Sequence, residues 1–240
     1  MSENYFSLWV YLSKQPLTWL TITLVVYGLA EFFSSATGKH PFANPVLHSM
    51  WIIAVFLHIT GTSYSSYFSG SQFVHFLLGP ATVALGVPLY ENRQLIRAAV
   101  LPIFFALLVG GTVAIFSVVI LSEVFGLPKL VELSLAPKSV TAAVAMGISE
   151  SLGGNVSLTA ATVIVTGILG AIAVTPLMNL LRINDYRARG FALGLASHGI
   201  GTARALQINP LAGAFAGLAM GLNALLTSML IPVAAALLHP

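Results

Sequence analysis

The sequence predicts an all-α, polytopic integral membrane protein with six to eight spans, and three observations predict it. Apolar residues make up 57% of the 240 and charged ones only 7%, where a soluble domain carries about 25% charged residues. Long apolar runs recur along the chain, and about 20 residues of helix cross the hydrocarbon core, where every backbone group must be paired internally. Between them lie apolar stretches interrupted by Gly, Pro or charge, the pattern of broken or re-entrant helices. One membrane domain embedded in the lipid bilayer is expected over residues 1–240.

The elements follow in order. Residues 1–15 hold Glu3 and Lys14 but no basic run before an apolar core and no small-residue cleavage site, so neither a signal nor a transit peptide is expected. Residues 17–33 read as the first span, and the shorter run 45–60 is also expected to cross. Tyr64, Tyr67 and Phe68, near Gly70, suit an interfacial aromatic belt, or alternatively the lining of an entrance. The stretch 73–90 is interrupted, 98–121 is a clear span, 131–152 is interrupted, and 158–181 is clear again. The stretch 191–206 is interrupted by polar residues, and 212–238 closes the chain as a span. Gly190 with Gly194, and Gly213 with Gly217 and Gly221, repeat every fourth residue, which close helix packing explains.

Two interrupted stretches resemble each other at an offset of 57 residues, aligning Leu78, Pro80, Thr82, Val83 and Val87 with Leu135, Pro137, Ser139, Val140 and Val144. Each is closed by a Glu, at Glu91 and Glu150, and each precedes a long span. Blocks 73–122 and 131–181 therefore read as an internal repeat of broken helix plus helix, with chance similarity as the alternative. Arg93 and Arg97 in one loop, and Arg182, Arg187 and Arg189 in another, should both be cytoplasmic. With one clear span between them, both loops face one side only if 131–152 dips in and returns, which favours inverted repeats.

The charge balance of +3 is scattered over short loops and forms no basic face, so no nucleic-acid partner is expected. The absence of Cys excludes disulfides and Cys-ligated metals. No phosphate-binding glycine loop, His-Glu-x-x-His or Gly-x-Ser-x-Gly occurs, so no cofactor, metal or enzymatic activity is expected.

Candidate chemistry lies in two knots. Pro137-Lys138-Ser139-Val140-Thr141 has the composition of a helix start inside an apolar block, and its free N–H groups with the Lys138 charge and the Ser139 and Thr141 hydroxyls suit a carboxylate. Alternatively Lys138 snorkels to the surface. Gly79-Pro80-Ala81-Thr82 offers a second, uncharged start. In Ser197-His198-Gly199-Ile200-Gly201-Thr202-Ala203-Arg204, an ideal helix places Ser197, Gly201 and Arg204 on one stripe and His198 with Thr202 on the next. Gly199 and Gly201 allow close approach or local unwinding. Arg204 can clamp a carboxylate, Ser197 and Thr202 can add hydroxyls, and His198 can carry a coupled proton. The plainer alternatives are an Arg204 paired with an acid such as Glu150 and a His198 satisfied within the core. Glu150, followed by Gly153-Gly154, suits a solvated turn, or else a proton acceptor. The expected substrate is a small carboxylate anion, and the glycines fit a homo-oligomer.

At these motifs the chain resembles the LrgB/CidB family, the larger membrane proteins of bacterial holin-like and antiholin-like pairs, also found as the carboxy-terminal part of the plastid glycolate/glycerate translocator. The matching residues are Asn44-Pro45, Tyr64 with Tyr67-Phe68 and Gly70, Pro137-Lys138-Ser139-Val140-Thr141, Glu150 with Gly153-Gly154, Gly167-Ile168-Leu169-Gly170, residues 196–205, and Gly213-Ala214-Phe215. The resemblance implies a multi-pass protein of the bacterial cytoplasmic membrane with a smaller LrgA/CidA-like membrane partner. It further implies either control of murein hydrolase export and autolysis, or movement of pyruvate-, glycolate- or glycerate-like monocarboxylates. Two departures stand out: Ala142-Ala143-Val144 where the family tends to have Thr-Pro-Ile, and Ala212 where it often has Glu.

Overall fold

A computed structural model describes residues 11–238, with side chains to residue 233. The N-terminal stretch read as neither signal nor transit peptide lies outside the described residues up to residue 10. Helix is the regular structure throughout the described residues. Among the described residues, five helices are long and apolar enough to cross a membrane, and the apolar Pro45–Thr60 is shorter. The chain divides into two compact units, one ending at Gly86 and the other beginning at Val87.

In the first unit, α1 (Pro16–Ala36) starts at a proline. Helix α2 (Pro45–Thr60) is bounded by local chemistry: the Asn44 side chain accepts from the Val46 and Leu47 amides, and Gly61 ends the helix with φ 63°. Helix α3 (Tyr64–Phe76) is capped by Ser63. Gly70 lets α3 rest on the Pro16 carbonyl and Trp19 Cβ. Trp19 is fully buried, edge-on to Phe56 and Tyr67. Tyr67 thus turns inward, its hydroxyl 3.2 Å from Thr23 Oγ1, while Tyr64 stays exposed. Helix α4 (Leu78–Ala84) continues from α3 through Leu77, which keeps right-handed helical angles. A helix does start beside Gly79-Pro80, at Leu78, its first bond running from the Ala81 amide to the Leu77 carbonyl, but it follows α3 without an extended break.

Two short helices, α5 (Gly86–Glu91) and α6 (Arg93–Ala98), lead into the second unit's first long helix, α7 (Val100–Val124). Next come α8 (Lys129–Leu135) and α9 (Ala142–Ser151), then α10 (Val156–Leu180), α11 (Tyr186–Ile208) and α12 (Pro210–Leu238). The interruption expected within 131–152 is present, and the segment folds back on itself. Ser134 Oγ accepts from the Asn155 amide at 2.7 Å, and Thr159 Oγ1 donates to the Ser134 carbonyl at 3.0 Å and lies 2.7 Å from Ser149 Oγ. The end of α8 and the end of α9 therefore both sit by the start of α10. Gly154 permits this closure, since a methyl there would meet Ser149 Oγ.

The hairpin is re-entrant, so α7 and α10 run in opposite directions and their basic flanks share one end. The structure agrees: Ala98 and Ala99 line the same cleft as Asp185 and Arg187. Helices α11 and α12 pack most closely. Methyls at Gly190 and Gly194 would strike the Ala212 and Ala216 carbonyls, so these glycines bring two backbones together, as their spacing predicts. Gly221 meets open space instead and has no such role.

Candidate functional site

Non-helical backbone inside an apolar layer survives only where it is buried in protein or lines a cavity. The second unit contains two such places, and they meet. The first is the hairpin tip, residues 136–141. Lys138 Nζ donates to the Ala114 carbonyl at 3.5 Å. Ala114 is ten residues from the end of α7, or about 15 Å of helix, half of the roughly 30 Å hydrocarbon core. The tip thus carries an ammonium to about mid-depth of the fold. Val140, 1% exposed, packs with Ala145 against Val163 of α10.

The second place is inside α11. His198 has φ 42° and ψ −130°, so two helical pieces meet there at a kink. The sequence points to Gly199 or Gly201 as the flexible positions, yet the unusual angles fall on the histidine. A non-glycine residue in such a region costs on the order of 1–3 kcal/mol, and surrounding contacts must hold it. His198 Nε2 lies 3.0 Å from the Val163 carbonyl; since a carbonyl only accepts, Nε2 carries hydrogen. Gly167 makes room, because a methyl there would lie 2.8 Å from His198 Cε1 and 2.7 Å from Ile200 Cδ1. A methyl at Gly170 would collide with Ser197 Oγ, and one at Gly201 with the Leu193 carbonyl.

Asn223 of α12 joins the two places. It is 1% exposed, and its Nδ2 donates to the Ser139 carbonyl at 3.2 Å and to the Leu195 carbonyl at 3.0 Å. One amide thus holds the hairpin tip and the turn before the kink, using both its hydrogens. Thr227 Oγ1 faces Asn223 Oδ1 at 3.4 Å.

The expected site residues divide accordingly. Ser197, His198, Thr202 and Arg204 are buried, at 1%, 4%, 3% and 3% exposure. Thr202 Oγ1 donates to the His198 carbonyl at 2.9 Å, and Ser197 Oγ, facing Gly170, has no hydrogen-bond partner among the described residues. Arg204 lies six residues beyond the kink on the second piece of α11, so the single stripe drawn on an ideal helix is bent at its middle. Ser139 is buried and joins the crossing through its carbonyl. Lys138 is half-buried at the tip, and Thr141 occupies the N-cap position of α9 without a side-chain cap bond. Glu150 is exposed in the last turn of α9, at the opposite end of that helix from Lys138. The structure therefore gathers the Ser139 backbone with Ser197, His198 and Thr202 around α10 and α12, and leaves Glu150 apart.

Sequence reasoning missed Asn223 and the Val163 carbonyl. A lone Asn within the 24-residue apolar stretch Pro210–Val233 was the available signal, because burying an amide there demands partners. A backbone acceptor leaves no trace in residue type.

Outside the spans, Asp185 caps α11. Its carboxylate accepts from the Arg187 amide and guanidinium, and the Arg187 side-chain hydrogen bond holds the Asp185 carboxyl below the usual carboxylate range.

A multi-pass helical membrane protein with a re-entrant hairpin touching a kinked helix is the class that fold and site define. The model of the LrgB-like family matches residues 23–237, and the chain belongs to that family. It is 36% identical to "Holin-like protein CidB" of Staphylococcus aureus (strain Mu50 / ATCC 700699) over 219 residues, covering 91% of this chain and 95% of that one. It is 33% identical, with the same coverage, to the protein of the same name from Staphylococcus epidermidis (strain ATCC 12228 / FDA PCI 1200). It is 38% identical to "Uncharacterized protein YxaC" of Bacillus subtilis (strain 168) over 83% of this chain and 86% of that one. No solved structure matches the chain.

Proposed function

We propose that this LrgB-like protein carries a small monocarboxylate of the pyruvate, glycolate or glycerate kind across the bacterial cytoplasmic membrane by alternating access. One observation carries the reading: a lysine-bearing hairpin tip and a kinked, arginine-bearing helix are drawn together by Asn223 about halfway along the spans. Intramembrane cations are costly and mark substrate paths, and an anionic guest would compensate them. In this reading Lys138, Ser139, Thr141 and Arg204 bind the carboxylate, with Ser197 and Thr202 adding hydroxyls. His198 handles a coupled proton, and Glu150, exposed at the hairpin's outer end, exchanges it with water. No chemical step on the substrate is involved.

The relatives' name, holin-like, favours a second reading and supports it more directly than anything supports carboxylate transport: a holin-like or antiholin-like protein, which would act on murein hydrolase export and autolysis. It would work with a smaller LrgA/CidA-like membrane protein and as a homo-oligomer. Uptake of labelled pyruvate or glycolate into proteoliposomes separates the two. Saturable flux that is lost in both Lys138→Ala and Arg204→Ala supports the carrier. Unsaturable leakage of unrelated dyes, indifferent to both substitutions, supports the holin-like reading.

A further inference from the structure

An open cleft of about 570 Å³ lies in the second unit, beside the broken crossing. Ala98, Pro102, Ala106 and Gly110, four residues apart, form one wall along the α6–α7 line. Ala188, Ala192 and Ala196 of α11 form the other, and Asp185 and Arg187 stand at the mouth. We propose that this cleft holds an acyl chain of an anionic phospholipid, with its headgroup at the arginine-rich end.

Depth favours this occupant. Between Ala98 and Gly110 the wall rises about 18 Å, and between Ala188 and Ala196 about 12 Å, against roughly 15 Å for one leaflet of a 30 Å hydrocarbon core. The α11 wall ends two residues before the kink at His198, where Leu195 closes over Gly110 at 3.1 Å from the position a methyl would take. A spanning helix would need a wall that continues through the other leaflet, and this one stops at mid-depth. The small side chains along both walls leave a furrow, which Ile103, Phe191, Leu195 and Phe215 also line with apolar surface.

Charge favours an anionic headgroup. The segments flanking the mouth carry Arg93, Arg97, Arg182, Arg187 and Arg189 against Glu91 and Asp185. Arg187 is paired with Asp185 at 2.6 Å. Arg189 donates to the Ile183 carbonyl and the Asn179 side chain, and Arg93 donates to the Tyr90 carbonyl and sits over the Tyr90 ring. These acceptors are neutral and leave the positive charge in place. Basic pockets between helices on the cytoplasmic side suit phospholipid headgroups, and that is the side these arginines assign to this end.

The test is native mass spectrometry of the full chain in detergent, titrated with phosphatidylglycerol, phosphatidylcholine or glycerol 3-phosphate. Phosphatidylglycerol is expected to be retained at least about tenfold better than phosphatidylcholine, with glycerol 3-phosphate not retained. The groove-filling pair Ala106→Leu with Ala196→Leu, both at exposed positions, should lower retention about tenfold and leave helicity and the thermal midpoint unchanged. Arg97→Gln with Arg182→Gln should bring the two phospholipids to parity. Unchanged retention in the groove-filled pair overturns the proposal, as does equal retention of both phospholipids by the wild type. Glycerol 3-phosphate binding as well as the lipid would reduce the site to a phosphate site. Loss of a cross-linked dimer in the groove-filled pair, with lipid count unchanged, would assign the cleft to a second copy of the chain. None of these outcomes depends on carboxylate flux.

Discussion

Asn223→Leu removes a side chain that bonds to both interruptions while keeping a similar volume. The variant loses two buried hydrogen bonds, to the Ser139 carbonyl at 3.2 Å and the Leu195 carbonyl at 3.0 Å. Hydrogen bonds between helices within membranes average about 0.6 kcal/mol and reach about 1.7, so two predict a loss of roughly 1–3 kcal/mol. The upper half of that range is expected. Both carbonyls belong to segments where the helix ladder is interrupted, and a buried acceptor deprived of its donor has no water to turn to. Thr227 adds little, because 3.4 Å is long for a hydroxyl donor. Unfolding in mixed micelles with increasing dodecyl sulfate, followed by far-ultraviolet circular dichroism, measures the loss. Amide exchange then locates it: protection should fall in residues 138–141 and 195–199 together, and stay unchanged in the middle of α7. A variant within about 0.5 kcal/mol of wild type, an effect no larger than an ordinary surface change, would refute the reasoning. So would faster exchange at only one of the two tips, since the tips would then be held independently.

Further outcomes follow from close contacts and from the paired Asp185. Gly194→Ala should lower the thermal midpoint markedly, by about 1–3 kcal/mol of overpacking or more, because the added methyl meets the Ala216 carbonyl and backbone cannot swing aside. Gly221→Ala, which meets open space, should be neutral or stabilising by up to about 1 kcal/mol and serves as the control. Gly170→Ala should be destabilising through Ser197 Oγ and should be partly rescued by Ser197→Ala, a change that is itself nearly neutral because that hydroxyl has no partner. Asp185→Ala should cost about 1 kcal/mol near neutral pH through loss of the α11 cap. The Asp185 carboxyl titrates below its unfolded value, so its contribution is present above an unfolded pKa of about 3.9 and fades as pH falls through the folded value. Solvent screening keeps the ion-pair share small. Stability curves of wild type and variant should converge in acid.

What was legible in the sequence depended on whether the cause is local. Pro45–Thr60 has the same limits in the structure as in the sequence because a capping Asn44, Pro45 and Gly61 act within a turn of the helix ends. The re-entrance of residues 131–152 came from counting where arginines fall, since the membrane turns loop charge into topology. The kink was anticipated in α11, but at its glycines. Residue type reports which positions tolerate unusual angles, whereas the angle at His198 is set by its partner, the Val163 carbonyl, 35 residues away. Asn223 was overlooked for the same reason: its role resides in two carbonyls, and carbonyls have no residue type. Gly79-Pro80 shows how little a proline alone settles. It lies in the first turn of α4, yet Leu77 keeps helical angles, so the start there continues α3 rather than breaking from it.

The kink also offers the means to choose between the two functional readings. Holding His198 at φ 42° costs on the order of 1–3 kcal/mol, and a straight helix would recover that cost together with the helical propensity that Gly199 forgoes, about 1 kcal/mol relative to Ala. His198→Ala with Gly199→Ala should therefore favour a straightened α11. Gly199 faces open space, so its new methyl meets no obstacle. Helices that merely assemble side by side around a pore have no use for the break, and their holin-like activity should survive or improve with the added stability. A carrier needs the break to present backbone groups to its guest, so saturable carboxylate uptake should fall by an order of magnitude or more while the thermal midpoint holds or rises. Flux that persists in a variant shown by amide exchange to have straightened would separate transport from the kink, and with it from the crossing that Asn223 holds.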